Sequence, residues 1–403
     1  MKGIKIGIWL LLLCCIPVII LCPMMLRSTS RKKVTADDIS QVHGAAMLEV
    51  VTPHIPSEYF FKQSQTIVAD GVKLRDYMLH DTEFVSLDDL QTALKNFSWW
   101  REAAKDYIRC KNQNEILRIP KYDYEGSVIR TDCAVSLQHK KKTLVPMNTV
   151  KKLRSLEMLR DTAQNTTYLS ESLDKTQIEY GKKVPILMYH CISDDIWGGK
   201  AMFTSPKAFR EQMDFLLKNG YQPILFSDLS HLEDYDKPVI ITLDDGYQDN
   251  YENVFPYIKE HKIPVTIFVI SDFVGRNRYL TQQQVKEMSD SGLVSIQSHT
   301  ANHMRLPQDS AAQQEESMKR SVLDLARMTG KIPYVLSYPE GRYDSCTEQL
   351  AQKYFELAVT TKNTRWSSNQ TYYRIVRLSM YRDTPLSEYQ KILEGKTVGK
   401  PKK

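Results

Sequence analysis

From Val184 onward the chain repeats one phrase: a short apolar run, a polar turn, then a stretch with helical periodicity. No other feature restricts the fold as strongly. The runs are "PILMY" (185–189), "QPILF" (222–226), "PVIITL" (238–243), "PVTIFVI" (264–270), "VSIQS" (294–298), "YVLSY" (334–338), "LAVTT" (357–361) and "YRIVRLSM" (373–380). They are too short for helices and too evenly apolar for strands with one wet face, so they predict parallel strands covered by helices. The stretches between them carry helix punctuation. Ser205 and Pro206 open one and Gly220 closes it, and a long helix over roughly 309–330 stops at Gly330. About seven strands of this kind imply a closed or nearly closed β/α barrel. The chemistry of such a barrel collects at the C-terminal ends of its strands.

Polar residues do fall there. "PILMY" runs into His190, "PVIITL" into Asp244 and Asp245, "VSIQS" into His299 with His303 behind it, and "YVLSY" into Pro339 and Gly341. His299 and His303 stand four apart, so one turn of helix would aim both imidazoles the same way. Two His and one carboxylate leave positions open for water and substrate on a divalent metal, and Asp245 supplies the carboxylate. Zinc is the default, and the same donors would accept cobalt, nickel or iron. Adjacent strand residues face opposite ways, so Asp244 and Asp245 serve one site only where the strand breaks into a turn, which Gly246 allows. Asp244 is then free to take the proton of an attacking water. The competing reading, an Asp capping the next helix, accounts for one aspartate and not for two. The Tyr338 amide in "SYPEG" (337–341) is a candidate oxyanion donor. His190 is a candidate proton donor to the leaving group.

The N-terminal half is organised differently. Lys2 and Lys5 precede an uncharged run from Ile6 to Leu26, about 20 residues and long enough to span a bilayer. With no small-residue cleavage site it predicts an uncleaved anchor over 1–30, with the rest of the chain outside the cell. The basic residues that follow, Arg27, Arg31, Lys32 and Lys33, argue the other way. A polar stalk (31–64), a small α+β module (65–153), a charged linker (154–183) and the barrel domain (184–403) complete the division. In the module "TEFVSLDDLQTAL" and "KTLVPMNTVKKL" repeat a strand-then-helix phrase. A net charge of +6 spread along the chain gives no case for nucleic acid. The seven cysteines form no C-x-x-C pair.

Taken together, "TLDDG", "SHTANH" and "SYPEGRYD" resemble three motifs of the polysaccharide deacetylases of carbohydrate esterase family 4. The resemblance covers about Val184 to Gln390. It implies a distorted (β/α)7 barrel and metal-assisted hydrolysis of N-acetyl groups on the GlcNAc residues of a cell-wall glycan or exopolysaccharide. It also implies Asp244 as base, Asp245, His299 and His303 as metal ligands, and the Tyr338 amide as oxyanion donor. No His follows His303, whereas most of the family draws its acid from a C-terminal His. "MYH" is similar instead to the poly-N-acetylglucosamine deacetylase branch, which assigns the acid to His190. Glu340 replaces a frequent aromatic, and Ser337 replaces an Arg that orients the base. Tyr247, Pro339 and Trp197 are the candidate substrate contacts. Trp366 and Tyr373 are further candidates for stacking on sugar, with packing as the competing role. The N-terminal module resembles, loosely, the copper amine oxidase N-terminal-like domain, with no copper implied. An O-acetyl esterase acting on xylan and an inactive glycan-binding wall protein are the alternatives.

Overall fold

Seven parallel strands close a ring in simple sequence order. They are β1 (Ile186–Tyr189), β2 (Pro238–Leu243), β3 (Val265–Val269), β4 (Val294–Ser298), β5 (Val335–Ser337), β6 (Leu357–Asn363) and β7 (Ile375–Ser379). Each pairs with the next, and β7 returns to β1 through Leu187↔Leu378. The run "QPILF" yields only Gln222–Ile224, which lies on the first half of β2 outside the ring. This computed structural model describes residues 65–395 except 80–81, 103–104, 111–114, 123–135, 140–141, 154–155 and 383. The expected membrane anchor and stalk (1–64) lie outside the described residues. Among those described, no helix is long and apolar enough to cross a membrane.

The helices start and stop where local chemistry directs. The Ser205 hydroxyl accepts from the Ala208 amide at 3.1 Å to open α1 (Pro206–Lys218), with Pro206 at a position that needs no N–H. The segment after β2 opens as a π-helical turn, Asn250–Val254, whose closing bond runs from the Phe255 amide to the Asn250 carbonyl. The wide turn leads directly into α2 (Phe255–His261), where Pro256 stands in the first turn and its missing N–H leaves no helical bond unmade. α3 (Gln282–Asp290) and α4 (Ala311–Thr329) both open on reciprocal capping boxes, Thr281 with Gln284 and Ser310 with Gln313. α5 (Ser345–Tyr354) and α6 (Leu386–Leu393) complete the outer layer. Val239, Ile241, Val265, Ile267, Val294 and Ile296 on the strands meet Phe209, Met213, Ile258, Val285, Met288 and Leu325 on the helices in one continuous core. Packing against both layers explains why the strand residues are apolar along their whole length.

The linker expected over 154–183 is instead largely structured. Its strands Leu156–Asp161 and Thr166–Glu171 form an antiparallel hairpin, and the second runs parallel to Thr66–Ala69. The hairpin also packs on the barrel. The Asp161 carboxylate takes two hydrogen bonds from Arg327 of α4 at 2.7 and 2.9 Å, and Val68 and Tyr168 meet Ala326. Charged residues in this stretch suggested solvent, but an alternating strand with one wet face has the same composition. The repeated phrase of the module is real in structure: Thr82–Ser86 and Lys142–Pro146 pair antiparallel, and each leads into a short helix.

Candidate active site

Two consecutive left-handed residues make the rim of β2. Asp244 still belongs to the strand ladder, its amide donating to the Tyr189 carbonyl at 2.9 Å. Asp245 and Gly246 then both take φ near +75°, which swings the second carboxylate back toward the first. Gly246 enters this region without cost, and Asp tolerates it better than most side chains. The break therefore starts one residue earlier than Gly246 alone would give.

His299 and His303 come from β4, but not on a helical turn. The chain past His299 is an irregular turn in which Thr300 and His303 have φ of +62° and +55°. The Thr300 hydroxyl accepts from the His303 amide at 3.1 Å, and Ser298 accepts from the Thr300 amide at 3.1 Å. The expected convergence holds by a different route, with ring centroids 4.8 Å apart. His299 donates from Nδ1 to the Ser337 carbonyl at 2.7 Å, which leaves Nε2 as the ring nitrogen that faces Asp245. Asp245 Oδ1 lies 3.2 Å from His299 Nε2 and 3.6 Å from His303 Nε2.

The electrostatics of this trio suit a cation. Burial alone would raise the Asp245 carboxyl, but the hydrogen bond from His299 and the charges of His190, His299 and His303 hold it well below the usual range. Burial works against a proton on His299, yet Asp245 and Asp244 pull its pKa upward. His303 is pushed down by burial and by His299. One positive charge is thus favoured among three converging donors. These donor atoms all lie within 4.8 Å of one another, so the residues present fit a divalent metal.

Asp244 Oδ2 lies 4.0 Å from His299 Nε2, and its own close partner is a residue outside the three motifs. Arg377 of β7, fully buried, donates to Asp244 through Nη1 at 2.6 Å and Nη2 at 2.7 Å. It also donates to Thr242 Oγ1, Ser337 Oγ and the Thr360 carbonyl, all within 3.1 Å. Ser337 adds its own hydrogen bond to Asp244 at 3.2 Å. Burial would raise the Asp244 carboxyl, but the Arg377 charge and hydrogen bonds outweigh it and keep Asp244 ionised. The Arg absent at position 337 is therefore supplied from another strand. The available signal was an arginine inside the apolar run "IVRLS", which a buried strand tolerates only with a partner.

The His190 pKa is lowered by burial, against the charges of Asp244 and Asp245 on the same pocket. The π-turn fixes its backbone: Asn250 donates to the His190 carbonyl at 3.0 Å, Asp249 accepts from the Ile192 amide at 2.9 Å, and Asn253 donates to the Ile192 carbonyl at 2.8 Å.

The Tyr338 amide cannot serve as the expected oxyanion donor, because it donates to the Val359 carbonyl at 3.1 Å as part of the sheet. The amides of Gly341 and Arg342 are likewise bonded, to Tyr338 and Pro339. The Glu340 amide, on a residue with φ +55°, has no backbone acceptor among the described residues. Gly341 lets this turn form, since a Cβ there would lie 2.1 Å from Thr361 Oγ1 and φ is +67°. Gly341→Ala should destabilise the fold by about 1–3 kcal/mol in urea titration. An unchanged midpoint would show that the turn can move aside.

Among the aromatic candidates, Trp197 and Tyr247 meet edge to face at 5.0 Å, and Tyr247 packs on Tyr279 at 5.1 Å. Both are half-buried, and burial together with the Asp245 carboxylate pushes the Tyr247 phenol pKa upward. Pro339 is buried in its turn, so it shapes the rim without exposing a face to a ligand. Trp366 is fully buried in the core. Tyr373 precedes β7 at the opposite end of the barrel and donates to the Phe355 carbonyl at 2.9 Å. Neither Trp366 nor Tyr373 can stack on a sugar at the rim.

A sequentially wound seven-strand parallel barrel thus gathers two His and two Asp at its C-terminal rim, where barrel enzymes carry their active sites. The sequence model described as polysaccharide deacetylase matches residues 232–355. A Bacillus subtilis (strain 168) protein named as a polysaccharide deacetylase, YxkH, is 36% identical over 202 residues, covering 49% of this chain and 71% of that protein. The chain belongs to the polysaccharide deacetylase family, hydrolases that act on amide bonds. The poly-beta-1,6-N-acetyl-D-glucosamine N-deacetylase of Escherichia coli (strain K12) is 30% identical over 136 residues, 29% of this chain and 20% of that enzyme. Among solved structures, the Streptococcus pyogenes deacetylase PplD in complex with acetate is 26% identical with a TM-score of 0.50, covering 53% of this chain and 99% of that one.

Proposed function

We propose that this chain removes N-acetyl groups from GlcNAc residues of a wall glycan or exopolysaccharide, with a divalent metal, by default zinc, held by Asp245, His299 and His303. The observation that carries this reading is the separation of two carboxylates at one strand end. Asp245 faces two imidazoles, while Asp244 is locked ionised by Arg377. The poly-N-acetylglucosamine relatives and the acetate bound by the S. pyogenes enzyme support the substrate class.

A metal bound there would supply the positive charge that polarises the acetyl carbonyl and acidifies the attacking water. The protein's own groups do the rest. Asp244 accepts the water's proton as oxygen bonds to the carbonyl carbon. The Glu340 amide donates to the developing oxyanion. His190 gives a proton to the leaving nitrogen as the C–N bond breaks, which releases acetate and an amine. Trp197 and Tyr247 wall the approach, and the apolar run Ile6–Leu26 would anchor the enzyme outside the cell with the module as spacer.

Full-length protein, loaded with zinc, should release acetate from GlcNAc oligomers faster than from acetylated xylan. Metal binding without release from either would overturn the reading, and faster release from xylan would favour the O-acetyl esterase. His190→Ala should lower kcat by about 10²-fold or more with metal content unchanged. An unaffected rate would place the acid elsewhere.

A further inference from the structure

One charged cluster at the rim belongs to neither the donor trio nor Asp244. Glu340 accepts from Arg305 Nε at 2.9 Å on one carboxylate oxygen and from Arg342 Nε at 2.7 Å on the other. Arg305 lies two residues past His303, and Glu340 carries the amide assigned to the oxyanion, so the cluster borders the reacting group. Two guanidiniums against one carboxylate leave a net charge of +1. The arginine side chains are 55% and 54% exposed and that of Glu340 35%.

Stability alone is a weak reason for such a cluster, because exposed ion pairs contribute only about 0.2–1 kcal/mol. The geometry offers another. Each arginine is tied through Nε, and among the described residues the Nη atoms of both make no hydrogen bond. A guanidinium with free Nη donors recognises carboxylate and phosphate groups well. Glu340 fixes both side chains in advance, which lowers the entropy lost when a ligand binds.

We propose that Arg305, Glu340 and Arg342 form an anion subsite beside the deacetylation centre, so that the preferred glycan carries a carboxylate or phosphate on the reacting GlcNAc or its neighbour. This rests on reading the site as a glycan deacetylase. Three tetrasaccharide probes separate the possibilities: neutral β-1,4-GlcNAc, its 6-O-phosphorylated form, and a GlcNAc–MurNAc repeat bearing lactyl carboxylates. Binding is measured by calorimetry on the full chain carrying Asp244→Asn, so turnover does not interfere. One anionic probe should bind at least 10-fold tighter than the neutral one, about 1.4 kcal/mol, and its identity names the source of the charge. The preference should fall below about 2-fold in Arg305→Gln/Arg342→Gln, recover in part with lysine at both positions, and weaken in 0.5 M NaCl, where the screening length is only ~4 Å. Equal affinity for all three probes, or a preference that survives the double glutamine variant, overturns the subsite. Acetate release by the unsubstituted chain is measured separately. Its absence from every probe defeats the deacetylase reading, while the binding ratio still decides the anion subsite.

Discussion

Arg377→Met should lower the stability of the barrel by about 3–5 kcal/mol, the usual cost of leaving one member of a buried ion pair without its partner. Arg377 and Asp244 are both buried, and their two-point contact is the shortest side-chain ion pair in the barrel interior. Methionine fills similar space but cannot compensate the Asp244 charge. Urea denaturation of the single variant, of Asp244→Asn, and of the double variant measures the coupling. The double variant should be more stable than Arg377→Met, since the uncompensated carboxylate is gone. The sign with pH follows from the lowered Asp244 pKa. This stabilisation is present above the unfolded aspartate pKa of about 3.9 and fades as pH falls through the native value. A stability change under about 1 kcal/mol would mean that water reaches Asp244 and screens it.

The second large effect separates the two aspartates. Asp244→Asn should cut kcat by about 10²–10⁴-fold, the range for losing a general base, with metal stoichiometry intact. His299→Ala should lose both metal and turnover, because Nε2 of His299 lies 3.2 Å from Asp245 Oδ1 in the donor set. Metal content after dialysis and acetate release on the same samples give the comparison. Loss of metal from Asp244→Asn would place both carboxylates in the donor set, and an active Asp244→Asn would move the base elsewhere.

The cluster of Asp244, Asp245, His299 and His303 is legible in the sequence because a barrel places polar residues directly after its apolar runs. His299 and His303 were found by spacing, although the spacing argument assumed a helix. Two left-handed residues do the same work in an irregular turn. The Tyr338 amide differs from the sequence expectation because sequence does not show which amides on a turn the sheet has already used. Trp366 and Tyr373 are unavailable for stacking on sugar at the rim, and the sequence does not show this because an aromatic does not reveal which end of the barrel it occupies, or whether it is buried at all. The hairpin over 156–171 reads as linker in the sequence because charged residues on the wet face of a strand match the composition of a solvated loop.

What the sequence determined by itself is the alternation of strands and helices, and hence the ring and the rim. Apolar periodicity and helix caps act over a few residues and are written locally. What only the tertiary structure decided is the partner of Asp244. Arg377 lies 133 positions from Asp244, and nothing local to either residue names the other. Closing the ring brings β7 beside β1, one strand away from β2, and the cost of burying a lone guanidinium or carboxylate then leaves the two charges with each other.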